Sequence, residues 1–255
     1  MLRRGGPKFI DVHCHIHDKA FDSDRDLVIE RALKNGVEVI ITSTLNLDDL
    51  KKALEISRKY KCIKISAGFD PLNLSIEDAE EMAREIKRIS DKIIAIGEVG
   101  LDYFYIKGLD REKQVNIFRC WINVASELRM PIVVHSRSAG KYAIEILMQE
   151  GYDKVLMHAF DGSSGWAMKG VSKGYFFSIP PSIVRSQQKM KLVKAIPPEF
   201  LMVESDAPVL APSQGERNEP SNVAVAAAKI AEIKRMDILE MCDILYSNSK
   251  SFFRL

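Results

Sequence analysis

The sequence predicts an α/β fold, a (β/α)8 barrel that spans residues 1–255 as a single domain. Three observations predict it. The length of 255 residues is typical of this barrel. Short β-rich runs alternate along the chain with longer segments of helical period, which is the pattern of βα units around a parallel sheet. Eight such runs can be counted, and eight strands close a barrel.

The predicted strands are short and apolar. Residues 132–134, for example, read Ile-Val-Val without a polar interruption, as expected for a strand that is buried on both faces. In chain order the strands are predicted over residues 8–12, 37–43, 62–68, 92–97, 131–135, 154–158, 174–179 and 200–204.

The segments between the strands have helical periods. The first helix is expected to begin near Ser23, whose spacing to Asp26 resembles a capping signal, and to end at Gly36. Residues 110–129 place apolar side chains, including Trp121, at spacings of three and four, and this stripe is expected to face the core. Two further helices, over 222–234 and 237–253, finish the chain.

Composition excludes several classes of protein. Lys plus Arg is 37 against 35 for Asp plus Glu, which gives a net charge of +2. This excludes a protein that binds nucleic acid through a basic charge over its whole surface, but it does not exclude a local basic patch. The four cysteines are far apart and form no C-x-x-C pair, which indicates reduced thiols. No apolar run approaches about 18 residues and no signal-peptide core follows the start, so we expect no membrane partner and a cytoplasmic location.

Metal-competent side chains occur at the ends of five predicted strands. Alternation along the first strand puts His13 and His15 on one side, where they could chelate a metal or be two polar residues satisfied by water. The carboxyl ends of barrel strands share one face, where catalytic groups gather. That face collects six candidate ligands, namely His13, His15, Glu98, His135, His158 and Asp206.

Six such ligands exceed the needs of one tetrahedral ion, so we expect two divalent metal ions, for which Zn²⁺, Mn²⁺ and Mg²⁺ are all candidates. The first ion would bind the two first-strand histidines and Asp206, and the second His135 and His158. Glu98 would bridge them, since a carboxylate offers one oxygen to each ion. In this hypothesis a water held between the ions is the nucleophile, and Asp206 also accepts its proton as general base.

Seven segments carry a resemblance to a known family. They are Asp11-x-His13-x-His15, GEVGLDY (97–103), VHSR (134–137), HAFDG (158–162), ESDAP (204–208), GERNEP (215–220), and Asn248 with Phe252. In this order, from Asp11 to Phe252, they resemble the TatD family of metal-dependent hydrolases. The resemblance implies a TIM-barrel, amidohydrolase-like fold, a site for one to three metals built from the same six residues, and hydrolysis of phosphodiester bonds. It also implies a 3′→5′ exonuclease acting on nucleic-acid ends or a nucleotide-like substrate.

Three residues outside the ligand set are candidates for substrate binding. Arg137 could bind a phosphate oxygen or be a solvated loop arginine, and Arg217 and Asn218 lie on the long loop after the last strand. The chain departs from the family pattern at Asp70, where Gly-x-His-Pro is common, and at Ser205, where threonine is common. An aspartate in place of that histidine adds negative charge near the expected mouth of the barrel.

Other roles stay open at this stage. Glu204 could be a buried carboxylate behind a ligand or part of a structural ion pair, and Asp102 could orient a ligand histidine or pack in its loop. His17 is expected to be a solvated loop imidazole. The alternative function is hydrolysis of a carboxylic amide or ester, such as an aminoacyl bond, and a third is metal binding without turnover. The sequence specifies neither the native metal nor the oligomeric state.

Overall fold

Eight parallel strands and nine α-helices alternate along residues 6–255, the part of the chain that this computed structural model describes. The strands are β1 (Phe9–Cys14), β2 (Val37–Thr44), β3 (Ile63–Ala67), β4 (Ala95–Asp102), β5 (Ile132–Arg137), β6 (Val155–Met157), β7 (Phe176–Ile179) and β8 (Leu201–Val203). The helices are α1 (Arg25–Lys34), α2 (Leu47–Lys59), α3 (Ile76–Arg88), α4 (Asp110–Leu128), α5 (Gly140–Glu150), α6 (Ser164–Val171), α7 (Gln187–Ala195), α8 (Val223–Lys234) and α9 (Ile238–Phe253).

Each strand pairs in parallel with the next one in the chain, so the sheet order is β1 to β8 without interruption. Closure is made just beyond the end of β8. There the amide of Asp206 donates to the carbonyl of His13 at 2.9 Å, and the amide of His15 donates to the carbonyl of Ala207 at 2.7 Å. The (β/α)8 barrel predicted from the sequence is therefore confirmed.

Apolar side chains form two layers. One fills the interior of the barrel below the strand ends, and Phe253 at the end of α9 packs into it. Its buried members are Ile10, Val12, Ile41, Ala95, Val133, Leu156, Met202 and Phe253. The other layer lies between strands and helices and contains Trp121, which is 2% exposed, as its place on the α4 stripe predicts. Because the interior is packed with side chains, a ligand can enter only at the ends of the barrel.

The first helix begins one residue later than the sequence predicts, since the capping position is Asp24 rather than Ser23. Asp24 is its N-cap residue, and α1 starts at Arg25, without a side-chain hydrogen bond to the cap. Asp24 instead accepts two hydrogen bonds from Arg217. Within residues 6–255 no helix has the length and apolar character needed to cross a membrane.

Candidate metal centre

β1 brings two imidazoles to the carboxyl end of the barrel. Its pairing with β2 shifts register between Asp11 and Cys14, and Cys14 packs outward against the helices. His13 and His15 lie on the opposite side of the strand. Their Nε2 atoms are 3.0 and 3.5 Å from Oε2 of Glu98. The alternation expected from the sequence therefore puts both rings on one side, as the H-x-H spacing requires.

Two glycines in β4 allow Glu98 to approach the next strand. Gly97 has φ 152° and Gly100 has φ 145°, backbone conformations that residues with a side chain rarely adopt. A Cβ on Gly97 would lie 2.6 Å from Cβ of Val133, and one on Gly100 would lie 2.1 Å from the carbonyl oxygen of His135. This close packing of β4 against β5 puts the Glu98 carboxylate beside the His135 ring.

One oxygen of Glu98 faces a first donor set, formed by His13, His15 and Asp206. Besides the two contacts of Oε2 given above, Oδ1 of Asp206 lies 3.4 Å from Nε2 of His13 and 3.6 Å from Nε2 of His15. The two imidazoles of the first strand therefore each lie within 3.6 Å of both carboxylates, Glu98 and Asp206.

The other oxygen of Glu98 faces a second donor set, formed by His135 and His158. Oε1 lies 3.0 Å from Nδ1 of His135 and 3.7 Å from Nε2 of His158, and those two nitrogens are 3.4 Å apart. The rings of His13 and His158 stack with centroids 3.9 Å apart, so the two donor sets adjoin. Glu98 is the residue that both sets share.

The donor atoms are spaced as a metal ion requires. Ligands at 2.1 Å around a tetrahedral ion lie about 3.4 Å from one another, and the separations here run from 3.0 to 3.7 Å. In addition, Nε2 of His13 is buried and makes no hydrogen bond of good geometry among the described residues, although Oε2 of Glu98 lies 3.0 Å away. A buried polar atom without a partner is costly unless a ligand satisfies it. The six side chains therefore fit a centre for divalent metal ions.

The far nitrogens of the first-strand histidines contact β2. Nδ1 of His15 donates to the carbonyl of Ser43 at 2.8 Å, and Nδ1 of His13 lies 3.0 Å from the Ser43 hydroxyl. Since a carbonyl only accepts, the neutral His15 ring carries its hydrogen on Nδ1 and keeps a lone pair on Nε2. Ser43 therefore holds the ring of His15 in the tautomer that a metal ligand needs.

Two carboxylates lie behind the histidines of the second donor set. Oδ2 of Asp102 is within hydrogen-bond distance of Nε2 of His135, at 3.0 Å, whereas Oε2 of Glu204 lies 3.5 Å from Nδ1 of His158 without forming a hydrogen bond. Glu204 is fully buried and also accepts hydrogen bonds from the amide of Ala159 and the hydroxyl of Ser178. Carboxylate–histidine contacts of this kind fix ring orientation and raise the basicity of a ligand.

Asp206 is held in a strained conformation by its neighbour. It has φ 53°, and the preceding Ser205 donates hydrogen bonds from its amide and its hydroxyl to the carboxylate of Asp11, at 2.8 and 2.6 Å. Asp11 is completely buried, and burial raises its pKa well above the usual range despite these hydrogen bonds. Hydrogen bonds to Asp11 in β1 thus fix the residue that precedes Asp206 and help to hold its strained backbone conformation.

The two carboxylates of the centre are ionised. Burial alone would raise the pKa of Glu98, but the charge of His158 and hydrogen bonds from neighbouring imidazoles hold it well below its usual range. Burial is likewise outweighed at Asp206, where contacts with His13 and His15 lower the pKa. At His15, burial is outweighed by Asp206 and Glu98, which raise its pKa to about 10. Protons on these imidazoles would have to leave before a metal binds.

A cleft of about 680 Å³ opens above the centre, and residues of both donor sets form its floor. Basic side chains also line it, namely Arg137, Arg185 and Lys189. Lys189 is 8% exposed, and its Nζ donates to the carbonyls of Ala159 and Phe160, next to His158. Burial lowers the pKa of Lys189 to about 8. The cleft therefore combines a cation-binding floor with cationic walls, which suits an anionic substrate.

The sequence profile of the TatD-related DNases matches residues 10–254 of this chain. The chain belongs to the TatD-related DNase family. Human deoxyribonuclease TATDN3 is 37% identical over 99% of this chain and 97% of its own length. Metal-dependent hydrolase MJ1582 of Methanocaldococcus jannaschii is 38% identical over 97% of both chains. The crystal structure of the TatD homolog YjjV from Escherichia coli K12 superposes with a TM-score of 0.89 at 26% identity, covering 97% of this chain and 98% of that one.

Membership of the TatD-related DNase family confirms the resemblance seen in the seven sequence segments. It also confirms the class predicted with it, a metal-dependent hydrolase. The six predicted ligands lie together at one end of the barrel. Arg137 lines the cleft above them.

Arg217 and Asn218 lie elsewhere. Arg217 forms a two-pronged ion pair with Asp24 and donates to the carbonyl of Ala20, while the buried amide of Asn218 donates to the carbonyls of Ser205 and Val209. Neither residue lines the cleft. Their contacts tie the long loop to the rest of the barrel, and their binding of substrate stays a prediction.

The prediction for His17 is wrong. The ring is 4% exposed, its Nδ1 lies 2.8 Å from the Thr42 hydroxyl, and its Nε2 lies 3.6 Å from Asp49. The loop after β1 folds back over the carboxyl end of β2 and the first turn of α2. The sequence alone does not reveal this contact. Asp70, which departs from the family pattern, accepts a hydrogen bond from the amide of Leu72, and burial raises its pKa.

Removal of the Asp102 carboxylate should weaken metal binding without unfolding the protein. In Asp102→Ala the His135 ring loses its hydrogen-bond partner, and losses of about 10- to 100-fold in metal affinity are typical of such changes. Calorimetric titration of Mn²⁺ or Zn²⁺ into chelator-treated protein measures the effect. Asp48→Ala, which removes a carboxylate that is 92% exposed, is the control and should bind metal as the parent does. Equal affinity in both variants would contradict the role of Asp102.

Proposed function

We propose that the protein is a divalent-metal-dependent deoxyribonuclease that hydrolyses phosphodiester bonds at the ends of nucleic-acid strands in the 3′→5′ direction. The observation that carries the proposal is the position of Glu98, whose two oxygens face two separate donor sets. Two-metal sites of this kind are common in phosphoryl-transfer enzymes, where they hold the attacking and leaving oxygens. The name of the human relative, deoxyribonuclease TATDN3, supports the same substrate class.

The residues of the two donor sets would hold two divalent ions. The first set would take one ion, the second set the other, and Glu98 would bridge them, in line with the separations described above. When bound, such ions supply a reactive water at neutral pH and polarise the scissile phosphate. Zn²⁺, Mn²⁺ and Mg²⁺ all accept histidine and carboxylate ligands, with different preferences.

The side chains of the protein would then position the reactants. Asp206 lies at the edge of the first donor set with an ionised carboxylate, so it can accept the proton of the attacking water as general base. Arg137 lines the cleft and is exposed, so its guanidinium can bind a non-bridging phosphate oxygen. The Asp102 contact keeps the His135 imidazole from turning during these steps, and Glu204 places a negative charge beside the His158 ring.

The direct test uses single-stranded DNA oligonucleotides labelled at either end, with Mg²⁺, Mn²⁺ or Zn²⁺ added to chelator-treated protein. We expect metal-dependent cleavage in which a 5′-labelled strand shortens stepwise and a 3′ label is released first. Chelator should abolish the reaction. A panel of aminoacyl and simple amide or ester substrates runs in parallel. Hydrolysis of that panel without cleavage of DNA would overturn the proposal and favour a carboxylic-substrate hydrolase, and metal binding without any turnover would also overturn it.

A further inference from the structure

Two aromatic side chains are exposed beside the cleft, on the loop that follows β4. Phe104 is 50% exposed and Tyr105 is 56% exposed, and their ring centroids are 4.9 Å apart at an interplanar angle of 89°. We call this pair the aromatic step. Exposed large apolar groups that adjoin one another in a soluble protein mark a site of interaction.

The aromatic step is tied to the metal centre through Asp102. The Oδ1 atom of this carboxylate accepts hydrogen bonds from the amides of Phe104 and Tyr105, both at 3.0 Å. Its other oxygen, Oδ2, lies 3.0 Å from Nε2 of His135. One carboxylate therefore fixes both the start of the loop and a histidine of the second donor set. The position of the two rings is thereby fixed relative to His135.

A cation contacts the aromatic step and also lines the cleft. The guanidinium of Arg137 stacks 4.2 Å above the ring of Phe104 and 5.0 Å from that of Tyr105. Arg137 ends β5, two residues after His135, and lines the cleft. Arg137 thus connects the cleft above the metal-binding side chains with the two exposed rings. A scissile phosphate at the centre, a neighbouring phosphate at Arg137 and an unpaired base at the rings would follow the same sequence of groups.

We propose that the aromatic step stacks on an unpaired nucleobase near the scissile phosphate, while Arg137 binds the phosphate that adjoins the scissile one. The inference rests on the proposed function and specifies its substrate as a single-stranded or frayed end. Stacking on aromatic rings is tolerant of sequence, because every base has a π-face. It also supplies affinity that a chain with a net charge of only +2 does not obtain from its overall field.

The kinetic test compares a single-stranded oligonucleotide with the same strand carrying abasic residues at its terminal positions. For the double variant Phe104→Ala/Tyr105→Ala we expect kcat/KM on the normal strand to fall about 5- to 150-fold, the range that loss of one stacked base produces. On the abasic strand, variant and parent should agree within about twofold, since there is no base to stack. Leu109→Ala is the control, because Leu109 is 86% exposed on the same loop and carries no ring.

Equal losses on the normal and the abasic strand would mean that the rings only support the fold of the site, and would overturn the inference. Unchanged kcat/KM on the normal strand would overturn it too. A lower kcat/KM of Leu109→Ala on the normal strand but not on the abasic strand would also count against the inference. It would show that a residue of this loop without an aromatic ring has the effect assigned to stacking.

A binding test separates this inference from the proposed function. It uses the Asp206→Asn background at saturating Mn²⁺ and an oligonucleotide with 2-aminopurine at its end, whose fluorescence is quenched on stacking. We expect quenching that the Phe104→Ala/Tyr105→Ala changes remove and Leu109→Ala does not. If this pattern appears while the parent protein cleaves no nucleic acid, the proposed function fails and the stacking site stands. If the parent cleaves DNA and no quenching occurs, the stacking site fails alone.

Discussion

Replacement of Glu98 by alanine is expected to abolish metal binding at both donor sets and to lower hydrolytic activity by at least about 10³-fold. The carboxylate has one oxygen in contact with each set, and without it four imidazoles would surround an unfilled space. Loss of one partner from a buried charged cluster destabilises the folded state by about 3–5 kcal/mol, which corresponds to a factor of 10² to nearly 10⁴ in the unfolding equilibrium constant. Loss of both ions would add the loss of the reactive water.

Elemental analysis after dialysis and the oligonucleotide assay measure these two effects. Glu216→Ala is the matched control, because this glutamate is exposed on the loop after β8 and lies outside the cleft. Glu98→Gln keeps the shape but weakens the ligand, so we expect intermediate metal content. Full metal content with full activity in Glu98→Ala would refute the bridging role.

Thermal unfolding gives an independent view of the same change. A ligand that binds only the folded state at about 1,000 times its Kd stabilises that state by about 4 kcal/mol. Chelator should therefore lower the Tm of the parent protein and leave the Tm of Glu98→Ala almost unchanged. A Tm of the parent that does not respond to chelator would contradict a metal centre built from these residues.

The positions of the candidate ligands could be predicted from the sequence because of one geometric rule. In the sequence, Glu98 and His135 follow or end apolar runs, and parallel strands of a barrel end on the same face. The structure continues β4 to Asp102 and β5 to Arg137, so the predicted strands ended too early although the ligands lie on the predicted face. The rule needs only local information, namely where each strand ends. Helix stripes could be assigned in the same way, and Trp121 lies in the core as its spacing predicts.

Contacts between distant segments could not be predicted in this way. Ser43 holds the first-strand histidines from β2, and Asp11 supports Ser205 across 194 residues. Ser43 is not marked by spacing or composition, and Asp11 begins the Asp11-x-His13-x-His15 segment without any sign of the residue it would contact. The error at His17 has the same origin, since its burial depends on Thr42 in another strand. The family motifs contain both kinds of residue, and the motifs alone do not distinguish ligands from the residues that position them.

Arg217 illustrates the limit on the substrate side. An arginine on a long loop next to a candidate ligand is a natural phosphate binder, but two carboxylates are available to it. Its guanidinium is bound by Asp24 and lies 3.3 Å from Glu219, and these contacts raise its pKa. Exposed ion pairs are weak on their own, but this one has two-pronged geometry and joins the loop to the start of α1. Arg137, in contrast, stacks on aromatic rings, and its charge faces the cleft.

Replacement of Asp206 by asparagine should separate the two roles proposed for this residue. As a ligand it would contribute to metal affinity, and as a general base it would contribute to kcat, typically by 10²- to 10⁴-fold. Titration of activity with Mn²⁺ distinguishes them. Loss of a ligand raises the metal concentration that gives half-maximal activity, but saturating metal restores kcat. Loss of a base lowers kcat at every metal concentration.

For Asp206→Asn we expect both effects, with kcat at saturating Mn²⁺ reduced by about 10²- to 10⁴-fold. The side chain of Asp206 approaches two imidazoles of the first donor set, so its charge matters for metal affinity, and its ionised state lets it accept a proton. Asp153→Asn, an exposed change at the opposite end of the barrel before β6, should leave both parameters unchanged. Recovery of full kcat at saturating metal would assign Asp206 to metal binding alone. Proton transfer would then have to involve another group in the cleft, and Lys189, with its pKa of about 8, is the first to examine.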